Sequence, residues 1–291
     1  MRRKRLWHFL SFGGPAVMVY VCFVLLPILI SLGYSLTNYN PFNPPSKYMG
    51  LRNYQLLIQD QEFLTALKVT TILTVIVVVV PNVLGLGIAV LLDRPGWLYN
   101  ALRSVFFVPV VLSSVVVSVI WTRLLDNDGL LNQTLRGIGI DNPPGWLSDP
   151  HYALYSLAGV ISWQVLGFCV VVYLAGLQAV PTELTEAASI DGAGPIRRFW
   201  HVAWPLLAPS LTVNTVILLI SAFKVFDQVQ VITHGGPGTG TTATIAYTIL
   251  DQAFVFNRAG YASAEAIVML IIIAVASAIA LKLLQRREVN L

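Results

Sequence analysis

Residues 181–209 read PTELTEAASIDGAGPIRRFWHVAWPLLAP, a polar and partly charged stretch between two long apolar runs. A membrane protein has little reason to keep such an island unless something soluble docks there. Thr182 is a helix-capping residue type, and Glu183 falls in the first turn, where the helix dipole favours a carboxylate. The pattern predicts a short helix over Glu183 to Ile190. Gly192 and Gly194 break it, and Pro195 suits the first position of a second short helix through Arg197, Arg198 and Trp200. The expectation is a knob built as helix, glycine corner, helix. A plain polar linker is the competing reading of the same residues.

The chain has 291 residues, 56% of them hydrophobic and 11% charged, with mean hydropathy +0.73. An average soluble domain carries about 25% charged residues, so the deficit places most of this surface against lipid. The net charge of +4 clusters at the chain ends, which points to anionic headgroups and not to nucleic acid. Cys22 and Cys169 both sit in apolar runs and read as small hydrophobes, not as a disulfide framework.

A helical span needs about 20 mostly apolar residues. Runs near 12–36, 66–92, 102–125, 152–178, 204–232 and 262–284 qualify. The fold class is therefore all-α, a polytopic membrane protein of about six transmembrane helices. The N-terminal MRRKR and the apolar run after it resemble a signal peptide in outline. The run is too long for one and lacks a small-x-small cleavage site, so it reads as a retained first span. Lys and Arg favour the cytoplasmic side. With the N-terminus inside, inner segments hold Arg2, Arg3, Lys4, Arg5, Arg94, Arg103, Arg197, Arg198, Lys282, Arg286 and Arg287. Outer segments clearly hold only Lys47, Arg52, Arg136 and Arg258. The expected layout is a cytoplasmic N-terminus at 1–11, a six-helix membrane domain at 12–284 with the cytoplasmic loop at 179–203, and a cytoplasmic tail at 285–291. Pro27, Pro81 and Pro109 fall inside spans, where kinked helices splay and leave room for a cavity.

Several polar residues interrupt these runs. Lys224 and Asp227 lie in the fifth, and charges in membrane segments are rare and usually face a cavity or each other. Their i,i+3 spacing allows pairing on one helix face. Asn214, Ser221 and Gln228 recur every seven residues and make one stripe beside Lys224. That stripe suits either the path of a hydroxyl-rich solute or interhelical hydrogen bonding. Trp163, Gln164 and Tyr173 on the fourth span are further candidates for the path. Gly235 to Thr242 has the spacing of a phosphate-binding loop, yet Thr241 stands where that loop needs lysine. The chain therefore carries no ATPase of its own. Asp126, Asp128 and Gly129 resemble the start of a calcium loop but lack the downstream bidentate glutamate. No metal site is expected, and His8, His151, His201 and His234 are scattered.

The island resembles the EAA signature of the membrane subunits of ATP-binding-cassette importers. Glu186, Ala187, Ala188, Asp191, Gly192 and Ala193 match in order, followed by Phe199, Val202, Pro205 and Pro209. Val202 and Trp204 depart mildly from the common isoleucine and leucine. A second stretch, FDQVQVITHGGPGTGTTATIAYTILDQAFVFNRAGYASA from Phe226 to Ala264, resembles the loop between the last two spans of sugar-type importer permeases. Arg103, Phe106, Phe107, Pro109, Trp121, Gly129 and Asn132 resemble the family's third span and its sequel, while His234 stands where glycine is common.

The resemblance implies a permease subunit of a binding-protein-dependent importer for a sugar or sugar-like solute in a prokaryotic cell membrane. Glu186 to Ala193 would then couple it to the ATPase. The implied partners are a second homologous permease subunit, two ATPases carrying ATP and magnesium, an extracytoplasmic solute-binding protein and membrane lipid. An ion-coupled secondary transporter is the rival reading. It would favour intramembrane carboxylates and internal repeats, whereas Asp227 and Glu265 lie near span ends and no repeat is visible. A membrane-embedded hydrolase would need a clustered His/Glu set, which the sequence lacks.

Overall fold

In lipid a backbone must satisfy its own hydrogen bonds, and a helix is the one open segment that does so. The computed structural model accordingly describes residues 13–238 and 240–286 as helices joined by short connections. Arg2, Arg3, Lys4, Arg5 and Arg287, used above for orientation, lie outside the described residues. The helices are α1 (Gly13–Ser35), α2 (Arg52–Gln59), α3 (Gln61–Leu92), α4 (Trp97–Val111), α5 (Ser114–Leu125) and α6 (Leu130–Gly137). They continue as α7 (Pro150–Gln178), α8 (Thr182–Ile190), α9 (Pro195–Leu206), α10 (Ala208–Phe223), α11 (Ile245–Val255) and α12 (Ala259–Gln285). Among the described residues the only β pairing is an isolated bridge between Thr37 and Tyr48.

The helices α1, α3, α7 and α12 are each long and apolar enough to cross a bilayer. Two bent assemblies pass the same test, α4 with α5–α6 and α9 with α10, and counting each as one span gives six. The structure corrects two of the expected continuous spans. The third breaks after Val111, and its two parts diverge by 98°. Leu112 and Ser113 are extended there (ψ 143° and 137°), three residues beyond Pro109, whose missing N–H already weakens the turn. The fifth ends at Phe223 instead of running to 232, and it meets α9 at a 60° bend.

Two other prolines are absorbed more gently. Widened π-turns at Val21–Leu25 and Phe199–Ala203 precede Pro27 and Pro205. Each contains the carbonyl four residues before its proline, so the extra residue makes room for the ring.

The chain divides into two compact units, Met1–Gln61 with Thr248–Leu270, and Glu62–Tyr247 with Ile271–Leu291. The second unit is built around α7. Of the most apolar stretch of α7, 61% is buried. Leu157, Val160 and Ile161 pack with Leu73 and Val77 of α3 at one end, and Val170 and Leu174 pack with Leu218 of α10 at the other. Gly167 lets α4 close on α7: a β-carbon there would stand 2.1 Å from the Phe106 carbonyl oxygen. The corresponding stretches of α1 and α12 are 0% and 6% buried, leaving apolar faces suited to lipid or to another membrane chain.

In the first unit, the chain after α1 folds back through the Thr37–Tyr48 bridge into α2. Asn53 donates to the carbonyls of Ser35 and Thr37, both at 2.8 Å.

Candidate functional site

The sequence marks two places for function, the polar stripe near Lys224 and the island around Glu186. The structure builds them in opposite ways.

At the stripe, two interrupted helices meet. Leu112 is left extended with a carbonyl to which no helix N–H donates, and the Gln164 side-chain amide of α7 donates to it at 3.2 Å. Gln228 then donates to the Gln164 carbonyl oxygen at 3.1 Å. This chain of bonds ties α7 to both breaks. At the second break the Lys224 N–H bonds to Ser221 and the Val225 N–H to Ala222, a tightened last turn that ends α10. The freed Val225 carbonyl accepts from the Thr244 hydroxyl at 2.7 Å. Non-helical backbone is tolerated in a membrane protein where it is buried in protein or lines a cavity, and both conditions hold here. Between the breaks lies a cleft of about 350 Å³, walled by Leu112, Ser114, Gln164, Ser221, Lys224, Asp227 and Gln228 among others.

The candidates separate into two groups. Ser221, Lys224, Asp227, Gln164 and Gln228 line the cleft. Lys224 and Asp227 lie beyond the helix end, not on a shared helix face, and both are exposed. They form no ion pair with each other, which corrects the expected i,i+3 arrangement. Asn214 is fully buried and points its amide at the Cys169 carbonyl. Tyr173 is 1% exposed and donates to Asn82 at 2.7 Å. These two hold helices together and do not reach the cleft. Trp163 packs edge-on against Trp121 with ring centroids 5.4 Å apart, and it too is outside the cleft lining.

The island folds as two short helices around a glycine corner. α8 begins one residue earlier than its sequence implies: Pro181 is the N-cap and makes no side-chain cap, and Thr182 is the first helical residue. Its capping role is taken by no side chain, consistent with a helix end that water can reach. The Asp191 N–H bonds to the Ala187 carbonyl and the Ala193 N–H to Ala188, closing the C-terminus. Gly192 at the corner has φ +77°, the left-handed region that glycine enters freely. Glu186, Ala187, Asp191 and Gly192 are exposed, and Ala188 and Ala193 are half-buried. Ile190 and Ile196 are 87% and 77% exposed, and Trp200 beside them is 54% exposed. No residue of α8 is buried. Isoleucine and tryptophan left exposed next to Arg197 and an exposed carboxylate make an apolar patch with a charged border.

Sequence reasoning missed the break at Leu112 and with it the main role of Gln164. Pro109 was the available signal, but the residue that repairs the break is 52 positions away.

This architecture, broken membrane helices around a cleft with a polar knob between the fourth and fifth apolar segments, defines a membrane permease. Residues 81–289 match the model of the binding-protein-dependent transport system inner membrane component. The chain belongs to that family. It is 35% identical over 290 residues to the probable starch degradation products transport system permease protein AmyD of Thermoanaerobacterium thermosulfurigenes, covering 99% of this chain and 97% of that one. It is 32% identical over 264 residues to the trehalose/maltose transport system permease protein MalF of Thermococcus litoralis, covering 90% and 88%. The fold is similar to that of a chain in a bacterial ABC transporter that imports the acidic polysaccharide alginate, with a TM-score of 0.83, 22% identity, and coverage of 97% and 96%.

Proposed function

We propose that this chain is a permease subunit of an ATP-driven importer that takes up a sugar or sugar-like solute delivered by an extracytoplasmic binding protein. The observation that carries this reading is the cleft. Two membrane segments break at the same place, and the exposed cleft residues Ser221, Lys224 and Asp227 stand beside the paired amides of Gln164 and Gln228. Broken helices are a recurrent way for a transporter to present backbone and polar side chains to a solute. The relatives named above support a sugar as that solute. The knob supports ATP coupling, since its uncovered Ile190, Ile196 and Trp200 need a soluble partner.

On this reading the chain performs no covalent chemistry. Two ATPase subunits bind ATP and magnesium, and a second permease subunit completes the path. The protein lies in the prokaryotic inner membrane with both termini and the knob in the cytoplasm, as the bias of Lys and Arg supports. The chain contributes a difference in shape between states, which lets the ATPase conformation bias which side the cleft faces.

Affinity purification of the full-length chain tests the assignment. An ATP-binding-cassette ATPase should copurify and be lost with Glu186→Lys. A chain that purifies without an ATPase and still transports on an ion gradient would support the secondary-transporter reading instead.

A further inference from the structure

The first compact unit contains a pocket that the transport path does not use. Its volume is about 560 Å³, within the roughly 300–1,000 Å³ typical of small-molecule sites. From the geometry we infer that this pocket is a separate binding site for a neutral oligosaccharide, facing the side from which solute arrives.

Three segments form the wall: the loop after α1, helix α2, and the turn into α12. The frame is fixed before any ligand comes. The Gly260 N–H donates to the Tyr39 carbonyl at 2.9 Å. A β-carbon at Gly260 would stand 2.3 Å from the Thr37 carbonyl oxygen, so only glycine permits that approach. Asn38 and Lys47 bond to each other through backbone and side chain, at 3.1 and 2.6 Å. The Tyr261 hydroxyl donates to Asp60 and sets that carboxylate on the wall. Preorganisation of this kind lowers the ordering cost of binding.

The chemistry of the wall suits hydroxyl groups on an apolar ring. The side-chain oxygens of Asn38 and Asn40 accept from Lys47 and Phe42 backbone N–H groups. That fixes each amide orientation and leaves its NH2 as the donor. Gln59 and Arg258 add exposed donors, and Asp60 supplies an acceptor. Leu56, Met49 and the rings of Tyr39 and Tyr261 form the apolar part. Tyr39 is itself stacked on Tyr34, with centroids 4.2 Å apart and planes 7° apart, which holds its ring as a platform. One carboxylate and one guanidinium give the lining no formal net charge. That balance favours a neutral saccharide over a phosphorylated or uronic one. On the proposed topology the α1–α2 connection and the turn before α12 both lie outside, on the side from which solute arrives.

Saturation-transfer NMR on the full-length chain in lipid nanodiscs, without ATP or binding protein, tests this with maltotriose as the probe and trigalacturonate as the charged comparison. Maltotriose should give a saturable signal and trigalacturonate a much weaker one. Arg258→Ala and Gln59→Ala, both changes of exposed side chains, should each weaken maltotriose binding by about tenfold or less. The inference is overturned if maltotriose gives no signal, or if both variants bind it like the parent. It is also overturned if Lys224→Met removes the signal while the two pocket variants keep it, because the sugar then sits in the cleft. Variants that bind maltotriose like the parent but no longer retain the binding protein in a separate pull-down would overturn it in favour of a protein-docking face. Loss of ATP-driven uptake with pocket binding intact would defeat the proposed function and leave this site standing.

Discussion

The knob and the cleft both contain broken helices, but they repair the breaks differently. At the knob the repair is local. Gly192 takes a left-handed turn, the backbone of α8 closes on itself, and Ile190 and Ile196 stay exposed. At the cleft the repair comes from distant helices: Gln164 serves Leu112, Gln228 serves Gln164, and Thr244 serves Val225. The difference separates folding from coupling. The cleft is completed inside this chain, so its changes should register in stability. On the proposed function the knob is completed by a partner, so its changes should register in transport and leave the fold intact.

The strongest way to break the contrast is at Gly167, which sits in the packing behind the cleft. Gly167→Val puts a branched side chain where even a β-carbon meets the Phe106 carbonyl at 2.1 Å. Overpacking typically costs about 1–3 kcal/mol, and more where backbone is the obstacle. Assembled protein on a size-exclusion column should fall severely, and unchanged yield would contradict the packing described. Next in size is the knob. Gly192→Val has open space around its β-carbon but forces a β-branched residue to positive φ, at roughly 1–2 kcal/mol. ATP-driven uptake should fall about tenfold, with the melting temperature lowered by only a few degrees. Gly192→Asn, which enters that region more readily, should retain most uptake. Equal loss in both variants would mean that the corner's backbone is not what matters.

Gln164→Ala is a finer probe of the cleft. It removes the donor to the Leu112 carbonyl and leaves the buried Gln228 amide without its acceptor, and an unsatisfied buried polar group costs about 1–3 kcal/mol. The melting temperature in detergent should drop by several degrees, and Gln228→Ala should cost less because Gln164 keeps its bond to Leu112. The smallest effect concerns Lys224 and Asp227. With no ion pair between them, the stability changes of Lys224→Met and Asp227→Asn should add within about 0.5 kcal/mol. A rescue of one by the other would restore the pairing that their spacing implies. Lys224→Met should still alter uptake rate or solute preference.

Much of this was legible from residue order alone. Apolar length locates the membrane helices, and glycine and proline spacing locates the corner between α8 and α9. What the sequence hides is long-range repair. Nothing near Leu112 announces that a glutamine on another helix will accept the break, and the i,i+3 spacing of Lys224 and Asp227 misleads because α10 stops at Phe223. Periodicity also cannot tell a buried polar residue from a cavity-lining one, so Asn214 and Tyr173 look equivalent to Ser221 until burial separates them. The pocket in the first unit was invisible for a related reason: its side chains come from segments some 200 residues apart, and each alone looks like an ordinary loop residue.

The central claim is that the conformation of a bound ATPase moves solute through the cleft of this chain. It is tested most directly in proteoliposomes holding the transporter and its binding protein, loaded with ATP and supplied with labelled maltotriose. The account predicts uptake that requires internal ATP and the binding protein, survives collapse of proton and sodium gradients, and falls about tenfold with Gly192→Val. Uptake that persists without ATP and disappears when the ion gradients collapse would contradict it.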